Sequence, residues 1–138
     1  MSDGKTILIV DDDETFAESN KDLLEAYGYH VLMAPDGHQG IEMARAHHPD
    51  LMILDVMMTT GTEGLEVARR LPEFPDLTKM RVLLVTGVAK AMHLAHAPQP
   101  DRAWLPVNRV LEKPVSPPRL LKEIERLLGE ESVRSGQS

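Results

Sequence analysis

Acidic side chains crowd together near the start of the chain. The apolar run Thr6–Val10 leads directly into Asp11, Asp12 and Asp13. Carboxylates this close repel one another, and nearby low-dielectric protein strengthens the repulsion. A hard cation such as Mg²⁺, which prefers oxygen ligands, would relieve it. The stretch therefore predicts either a metal site or side chains that point into water.

Three further polar side chains follow apolar runs later in the sequence: Asp55, Thr86 and Lys113. Together they offer an oxygen nucleophile, a hydroxyl donor and a positive charge, which are the groups that phosphoryl transfer requires. A single carboxylate after a strand more often caps the next helix. The combination of carboxylates, hydroxyl and ammonium is therefore the informative feature.

Five apolar runs divide the chain, and each is short and nearly continuous: Thr6–Val10, Tyr29–Met33, Leu51–Leu54, Arg81–Val85 and Arg109–Leu111. Such runs are typical of strands that are buried on both faces of a parallel sheet. Ligands bind such sheets at the carboxyl ends of the strands. The polar residues after the runs are thus expected to meet at one edge.

Helical patterns alternate with these runs and predict five helices. The first has an apolar face, the fourth is expected to end by about Ala97, and the last is capped by Ser116 and ended by Gly129. The apolar face of the first helix comprises Phe16, Leu23, Leu24 and Tyr27. The alternation predicts an α/β, doubly wound domain with helices on both faces of the sheet.

Composition limits the classes of function. The chain has 138 residues, 42% of them hydrophobic, a net charge of −7 and no cysteine. That is the size of one domain, and the acidic charge argues against binding to nucleic acid or anionic lipid. Thiol chemistry is excluded, and no apolar stretch approaches the ~18 residues of a membrane span. The polar N-terminus does not resemble a signal peptide, so we expect a cytoplasmic protein.

The paired aspartates after the first run, Asp55 after the third, Thr86 after the fourth and Lys113-Pro114 after the fifth resemble the receiver domain of two-component response regulators. The resemblance extends from about Lys5 to Leu128. Each motif is weak by itself, but all of them in order are specific. The resemblance implies a flavodoxin-like, five-stranded parallel sheet of order 2-1-3-4-5.

The resemblance also implies roles for individual residues. Asp55 would accept a phosphoryl group from a sensor histidine kinase or a phosphotransfer protein. Asp12, Asp55 and the backbone carbonyl of Met57 would bind Mg²⁺, with Asp11 helping through a water molecule. The cofactor implied is therefore Mg²⁺.

Three more residues complete the implied site. Lys113 would pair with the phosphoryl oxygens, and Thr86 would form a hydrogen bond to them in the active state. Pro114 follows the lysine at a position where receiver domains commonly have a cis peptide bond. Such a domain catalyses only its own phosphorylation and dephosphorylation, so it is not expected to be an enzyme in the ordinary sense.

The domain organisation follows from the same resemblance. We predict a receiver domain over residues 1–129 and a polar, disordered tail over residues 130–138. The sequence contains no output domain, so we expect a stand-alone receiver that signals through protein contacts. The partner would be a downstream target or a second copy, bound through the predicted fourth helix, fifth strand and fifth helix.

Some positions depart from the family pattern. Thr59 replaces the proline that usually follows the acceptor, and Val110 replaces an aromatic residue three positions before Lys113. That aromatic usually moves with the switch threonine, and valine is too small to report such a rotation. The segment between Thr86 and Lys113 is also longer than usual and holds several prolines.

Two other functions fit parts of the sequence. The residues from Asp11 to Thr15 resemble the nucleophile loop of haloacid dehalogenase-like phosphohydrolases, in which Asp11 would be the nucleophile and Asp13 the acid–base. That alternative assigns no role to Asp55, and the chain is short for that fold. The other alternative is a phosphorylation-independent adaptor that keeps only the fold. The intact polar set argues against it.

Overall fold

The computed structural model describes residues 4–55, 63–86, 109–112 and 115–137. The strands are β1 Thr6–Val10, β2 His30–Ala34, β3 Leu51–Asp55, β4 Arg81–Thr86 and β5 Arg109–Glu112. The helices are α1 Glu14–Ala26, α2 Gly37–His47, α3 Glu63–Arg70 and α4 Pro117–Gln137, with short 3₁₀ turns at Leu71–Glu73 and Pro75–Leu77. The predicted fourth helix lies outside the described residues.

The five strands form one parallel sheet in the order β2-β1-β3-β4-β5. This order confirms the predicted flavodoxin-like fold. It also explains why the strands are nearly continuous apolar runs, since helices cover both faces of the sheet. The central strand β3 is buried along its whole length.

Alternate strand residues face two separate cores. Leu8 and Val10 of β1 belong to the core that includes α2 and α3 residues, whereas Ile7 and Ile9 belong to the core that includes α1 and α4 residues. This division follows from the two-residue repeat of side chains along a strand. The sheet thus lies between two apolar layers, and polar side chains are accommodated where the strands end.

Strand β2 begins one residue later than predicted. Tyr29 is buried, but its N–H donates to the carbonyl of Leu24 at the end of α1, and Gly28 before it has a φ of 94°. The first ladder bond of the strand comes from His30, whose N–H donates to the carbonyl of Lys5. Tyr29 therefore completes the helix end, although its hydrophobicity is typical of a strand.

The prediction that Gly129 ends the last helix is wrong. Helix α4 continues to Gln137. The disordered tail over residues 130–138 remains a prediction. A glycine inside a helix costs only about 1 kcal/mol relative to alanine, and the following Glu130 and Glu131 are good helix formers. The domain boundary after residue 129 remains a prediction.

Within the described residues, no helix combines the length and apolar content that crossing a lipid bilayer requires.

Helix α2 packs closely against the strand that leads to the acidic residues. A Cβ atom on Gly40 would lie 2.8 Å from Cγ2 and 3.0 Å from Cγ1 of Val10, the residue immediately before Asp11. Both distances are too short for ordinary carbon contacts. Gly40 thus sets the distance between α2 and the carboxyl end of β1.

We expect Gly40→Ala to lower the free energy of unfolding by about 1–3 kcal/mol, because the added methyl group overpacks a buried contact. Urea unfolding of the variant measures the loss. Combining it with Val10→Ala removes the clashing methyl groups, so the double variant should lose less than the two single losses together. Strictly additive losses would show that the contact with Val10 is not the cause.

Candidate functional site

The register of the sheet brings three strand ends to the same level. Val10 pairs with Leu54, and Asp55 pairs with Val85. Asp11 therefore follows β1 where β3 reaches its last residue, and Thr86 ends the next strand one position further. These ends lie side by side because the strands are parallel and adjacent.

Three carboxylates meet at this edge. Asp11, Asp12 and Asp55 each contribute an oxygen atom, and these oxygens all lie within 4.8 Å of one another. Asp11 and Asp55 are 4% and 3% exposed, whereas Asp12 is exposed. The group is thus open to solvent on the side of Asp12 and enclosed by protein on the other.

Backbone contacts hold Asp11 in place. Its N–H donates to the carbonyl of Ala34 at the end of β2 (3.1 Å), and its Oδ1 accepts a hydrogen bond from the N–H of Asp13 (2.8 Å). The first bond holds the backbone of Asp11 against β2, and the second holds its carboxylate at the start of α1. The orientation of Asp11 is therefore set by the strand end and the turn after it.

Asp13 serves a different purpose from its two neighbours. Its Oδ1 accepts a hydrogen bond from the N–H of Phe16 at 3.1 Å, so it is the N-cap of α1. An N-cap side chain satisfies one of the amide groups that the first helical turn leaves without a partner. The acidic run after β1 thus divides into two residues of the carboxylate group and one helix cap.

Thr86 lies at the end of β4 and is completely buried. Its Oγ1 has no hydrogen-bond partner among the described residues. A buried hydroxyl without a partner costs about 1–3 kcal/mol. The unsatisfied hydroxyl, next to a group of carboxylates, is an available donor for an anionic group bound at this edge.

The carboxylate group fits a hard divalent cation. All its donor atoms are oxygens, and two of the three side chains are buried, where like charges are costly without a counter-charge. The site therefore has the donor chemistry of Mg²⁺. Asp11, Asp12 and Asp55 are brought together as the sequence predicted. Met57, Lys113 and Pro114 lie outside the described residues.

Sequence reasoning missed one group of charged residues, which joins β5 to α4. Glu123 of α4 is buried and surrounded by Arg109, Arg119 and Arg126. The sequence did carry a signal, because Glu123 occupies a core-facing position between Leu120 and Leu127. Arginines four residues before and three after it lie on the same helical face.

Comparison with known proteins identifies the architecture. Residues 7–125 match the profile of the response regulator receiver domain. The chain belongs to the response regulator receiver family. This receiver domain also has the strand order of that family, and its carboxylate group lies where the parallel strands end. Receiver domains are signalling domains.

Named relatives support the same assignment. The chain is 31% identical over 126 residues to the polar-differentiation response regulator DivK of Brucella ovis. The alignment covers 91% of this chain and 98% of the relative. It is 27% identical to a CheY-like receiver domain protein from Methanospirillum hungatei, with a TM-score of 0.78 and coverage of 95% and 98%. It is 28% identical to the receiver domain of a histidine kinase from Syntrophus aciditrophicus, with a TM-score of 0.76 and coverage of 92% of each chain.

We expect Asp12→Ala to weaken Mg²⁺ binding by more than about tenfold, because a hard cation loses a charged oxygen ligand. The metal-free variant should keep its stability or gain some, since one of three neighbouring negative charges is removed. Calorimetric titration with Mg²⁺ and urea unfolding without it measure the two effects.

Asp22→Ala is the matched control, because Asp22 is an exposed aspartate on α1 that is not part of the carboxylate group. It changes the net charge equally and should leave Mg²⁺ affinity within about twofold. If both variants lose the same affinity, binding is a general effect of charge, and the proposed ligand set is wrong.

Proposed function

We propose that this receiver domain accepts a phosphoryl group on Asp55 from a phosphohistidine of a sensor histidine kinase or a phosphotransfer protein. The reaction uses Mg²⁺, takes place in the cytoplasm, and signals by changing protein contacts. The observation that carries this proposal is the buried carboxylate of Asp55, which ends the central strand within 4.8 Å of the oxygens of Asp11 and Asp12.

The proposed transfer needs only positioning and charge. An oxygen of the Asp55 carboxylate attacks phosphorus in line with the bond from phosphorus to the histidine nitrogen. As the oxygen–phosphorus bond forms, the nitrogen–phosphorus bond breaks, and its electron pair stays on the imidazole. The product is an aspartyl phosphate, a mixed anhydride that water can hydrolyse.

The ligands for Mg²⁺ in this proposal are Asp12, Asp55 and the backbone carbonyl of Met57, with Asp11 acting through a water molecule. When bound, the ion supplies positive charge beside the acceptor carboxylate and the phosphoryl oxygens. Asp11 suits the supporting role, because one of its oxygens already accepts the N–H of Asp13. Lys113 adds a second positive charge at the phosphoryl oxygens.

Thr86 is the proposed link between phosphorylation and the signal. Its buried hydroxyl has no partner among the residues described, and a phosphoryl oxygen on Asp55 would accept a hydrogen bond from it. Thr86 pairs with Glu112 at the end of β5, so its movement is passed to that strand. Val110 on β5 is half-buried against the core that includes α2 and α3 residues. We therefore do not expect Val110 to rotate with Thr86 as the usual aromatic residue does.

The haloacid dehalogenase-like alternative is less well supported by the site. It requires Asp13 as an acid–base, whereas the Asp13 side chain accepts the N–H of Phe16 as a helix cap. It also assigns no role to Asp55. A phosphorylation-independent adaptor would have no need for two buried carboxylates beside an exposed one, since such a group is costly to keep.

We expect acetyl phosphate with Mg²⁺ to label the wild type and to leave Asp55→Asn unlabelled, because the amide lacks the nucleophilic carboxylate oxygen. Intact-mass measurement detects the added phosphoryl group, and peptide mapping after borohydride reduction locates it. Asp50→Asn is a suitable control, since Asp50 lies at the opposite end of β3. Labelling of Asp55→Asn at Asp11 would instead support the hydrolase alternative.

We expect Thr86→Val to raise the free energy of unfolding of the unphosphorylated protein by about 1 kcal/mol, because the change keeps the shape and removes a buried hydroxyl that has no partner among the described residues. Beryllofluoride, which mimics a phosphoryl group on Asp55, should then stabilise the variant less than the wild type. Urea unfolding with and without beryllofluoride measures both effects. Equal stabilisation of the two proteins by beryllofluoride would exclude a bond from Thr86.

A further inference from the structure

Two neighbouring strands, β4 and β5, each hold a buried donor that forms no hydrogen bond with the described residues. One is the hydroxyl of Thr86 at the end of β4, and the other is the Nε–H of Arg109 at the start of β5. A buried donor without an acceptor costs free energy, so a movement that brings an acceptor into line is favourable. The two strands therefore hold hydrogen-bonding capacity that a change of state can use.

The donor on β5 already lies close to a carboxylate. Nε of Arg109 is 3.3 Å from Oε1 of Glu123 on α4, so the two side chains form an ion pair, but the N–H is not directed at the oxygen. An N–H···O hydrogen bond weakens steeply as its angle departs from linearity. A small displacement of Arg109 relative to Glu123 would therefore convert this ion pair into a charge-assisted hydrogen bond.

Arg109 is the residue that links Glu123 to the sheet. Glu123 is 6% exposed, and two further cationic partners, Arg119 at 3.6 Å and Arg126 at 3.5 Å, belong to the same helix as Glu123 itself. These two arginines move together with Glu123 when α4 moves. Among the described residues, only Arg109 joins the carboxylate of Glu123 to another element. A movement of β5 therefore changes this one pair.

Strand β5 connects the two unsatisfied donors. It lies at the end of the described sheet and pairs with β4, with Glu112 opposite Thr86 and Arg109 opposite Leu83. Its four residues span roughly 10 Å, which is short enough for the strand to move as one piece. A strand at the edge of a sheet has ladder bonds on one side only, so it shifts more easily than a central strand.

Apolar packing between β5 and α4 is a poor carrier for a small shift. Leu111 of β5 lies in the same core as Leu120 and Ile124 of α4, but apolar burial is non-directional and changes little when surfaces slide slightly. An ion pair with a buried carboxylate depends on direction as well as distance, and a buried charge is costly to leave unpaired. The contact between Arg109 and Glu123 is therefore the sensitive one.

We propose that the contact between Arg109 and Glu123 is a conformational device that carries the phosphorylation signal from β5 to α4. A phosphoryl group on Asp55 accepts a hydrogen bond from Thr86, and β5 shifts with the end of β4. That shift directs Nε of Arg109 at the carboxylate of Glu123 and holds α4 more firmly against the sheet. This inference rests on the proposed function and names a route to α4 that needs no aromatic residue at Val110.

The first measurement is the affinity for beryllofluoride, the mimic of a phosphoryl group on Asp55. Coupling between two sites is reciprocal, so a pair that the mimic strengthens also strengthens binding of the mimic. Arg109→Gln should therefore weaken beryllofluoride binding about fivefold in calorimetric titrations at saturating Mg²⁺. Arg119→Gln is the matched control, because it removes the same charge and a partner of the same carboxylate from within α4. It should change the affinity by less than about twofold.

A double variant guards against loss of the fold. Arg109→Gln leaves the buried Glu123 with one partner fewer, which lowers stability, whereas Arg109→Gln/Glu123→Gln removes the buried charge as well. The double variant should stay folded in urea unfolding and show the same loss of about fivefold in beryllofluoride affinity. Wild-type affinity in the double variant would overturn the proposal. Equal weakening by Arg109→Gln and Arg119→Gln would do the same.

Hydrogen exchange locates the effect in the chain. Beryllofluoride should slow amide exchange in wild-type peptides from β4 and from residues 117–128 of α4, because both elements are then held more firmly. In Arg109→Gln, the slower exchange of β4 should remain and that of α4 should be lost. Slower exchange of α4 that persists in Arg109→Gln would overturn the proposal. A wild type that binds no beryllofluoride would contradict the proposed function itself, whereas binding with unchanged exchange in α4 contradicts this inference alone.

Discussion

Repulsion between carboxylates is the constraint on which this structure depends. Asp11 and Asp55 are both nearly buried, and their oxygens lie within 4.8 Å of each other and of Asp12. Two ionised carboxylates at that distance repel by on the order of 3 kcal/mol at an effective dielectric constant of about 20. A fold can keep such a group only if the strands around it are held firmly. The two apolar layers that enclose the sheet provide that support.

The described residues include a group of carboxylates at the end of the sheet and a group of ion pairs between β5 and α4. At the end of the sheet, the carboxylate oxygens of Asp11, Asp12 and Asp55 lie within 4.8 Å of one another, so the group is suited to a hard cation. At the start of β5, Arg109 forms an ion pair with Glu123 of α4, which also pairs with Arg119 and Arg126. Strand β5 touches both regions, since Arg109 begins it and Glu112 pairs with Thr86 at its other end. A single short strand therefore connects the site of the proposed chemistry with the ion pairs of α4.

The sequence predicted the sheet well because strands that are buried on both faces are nearly continuous apolar runs. The apolar runs located all five, and the polar residues after them identified the carboxylate group. Helix ends were harder to predict. Tyr27 was expected on the apolar face of α1 but is 55% exposed, because the helix ends at Ala26 and Tyr27 leaves its periodicity as the C-cap. Long-range contacts were beyond the sequence, since neither the approach of Gly40 to Val10 nor the pairing of Arg109 with Glu123 has a local signature.

The bond between Asp11 and the turn after β1 has a consequence for which sequences this site can tolerate. Oδ1 of Asp11 accepts the backbone N–H of residue 13, not its side chain. Nineteen of the twenty amino acids supply that N–H, and proline alone does not. Position 13 can therefore exchange its aspartate for other helix caps while the carboxylate of Asp11 stays oriented. Proline at this position would remove the N–H and so release the carboxylate of Asp11.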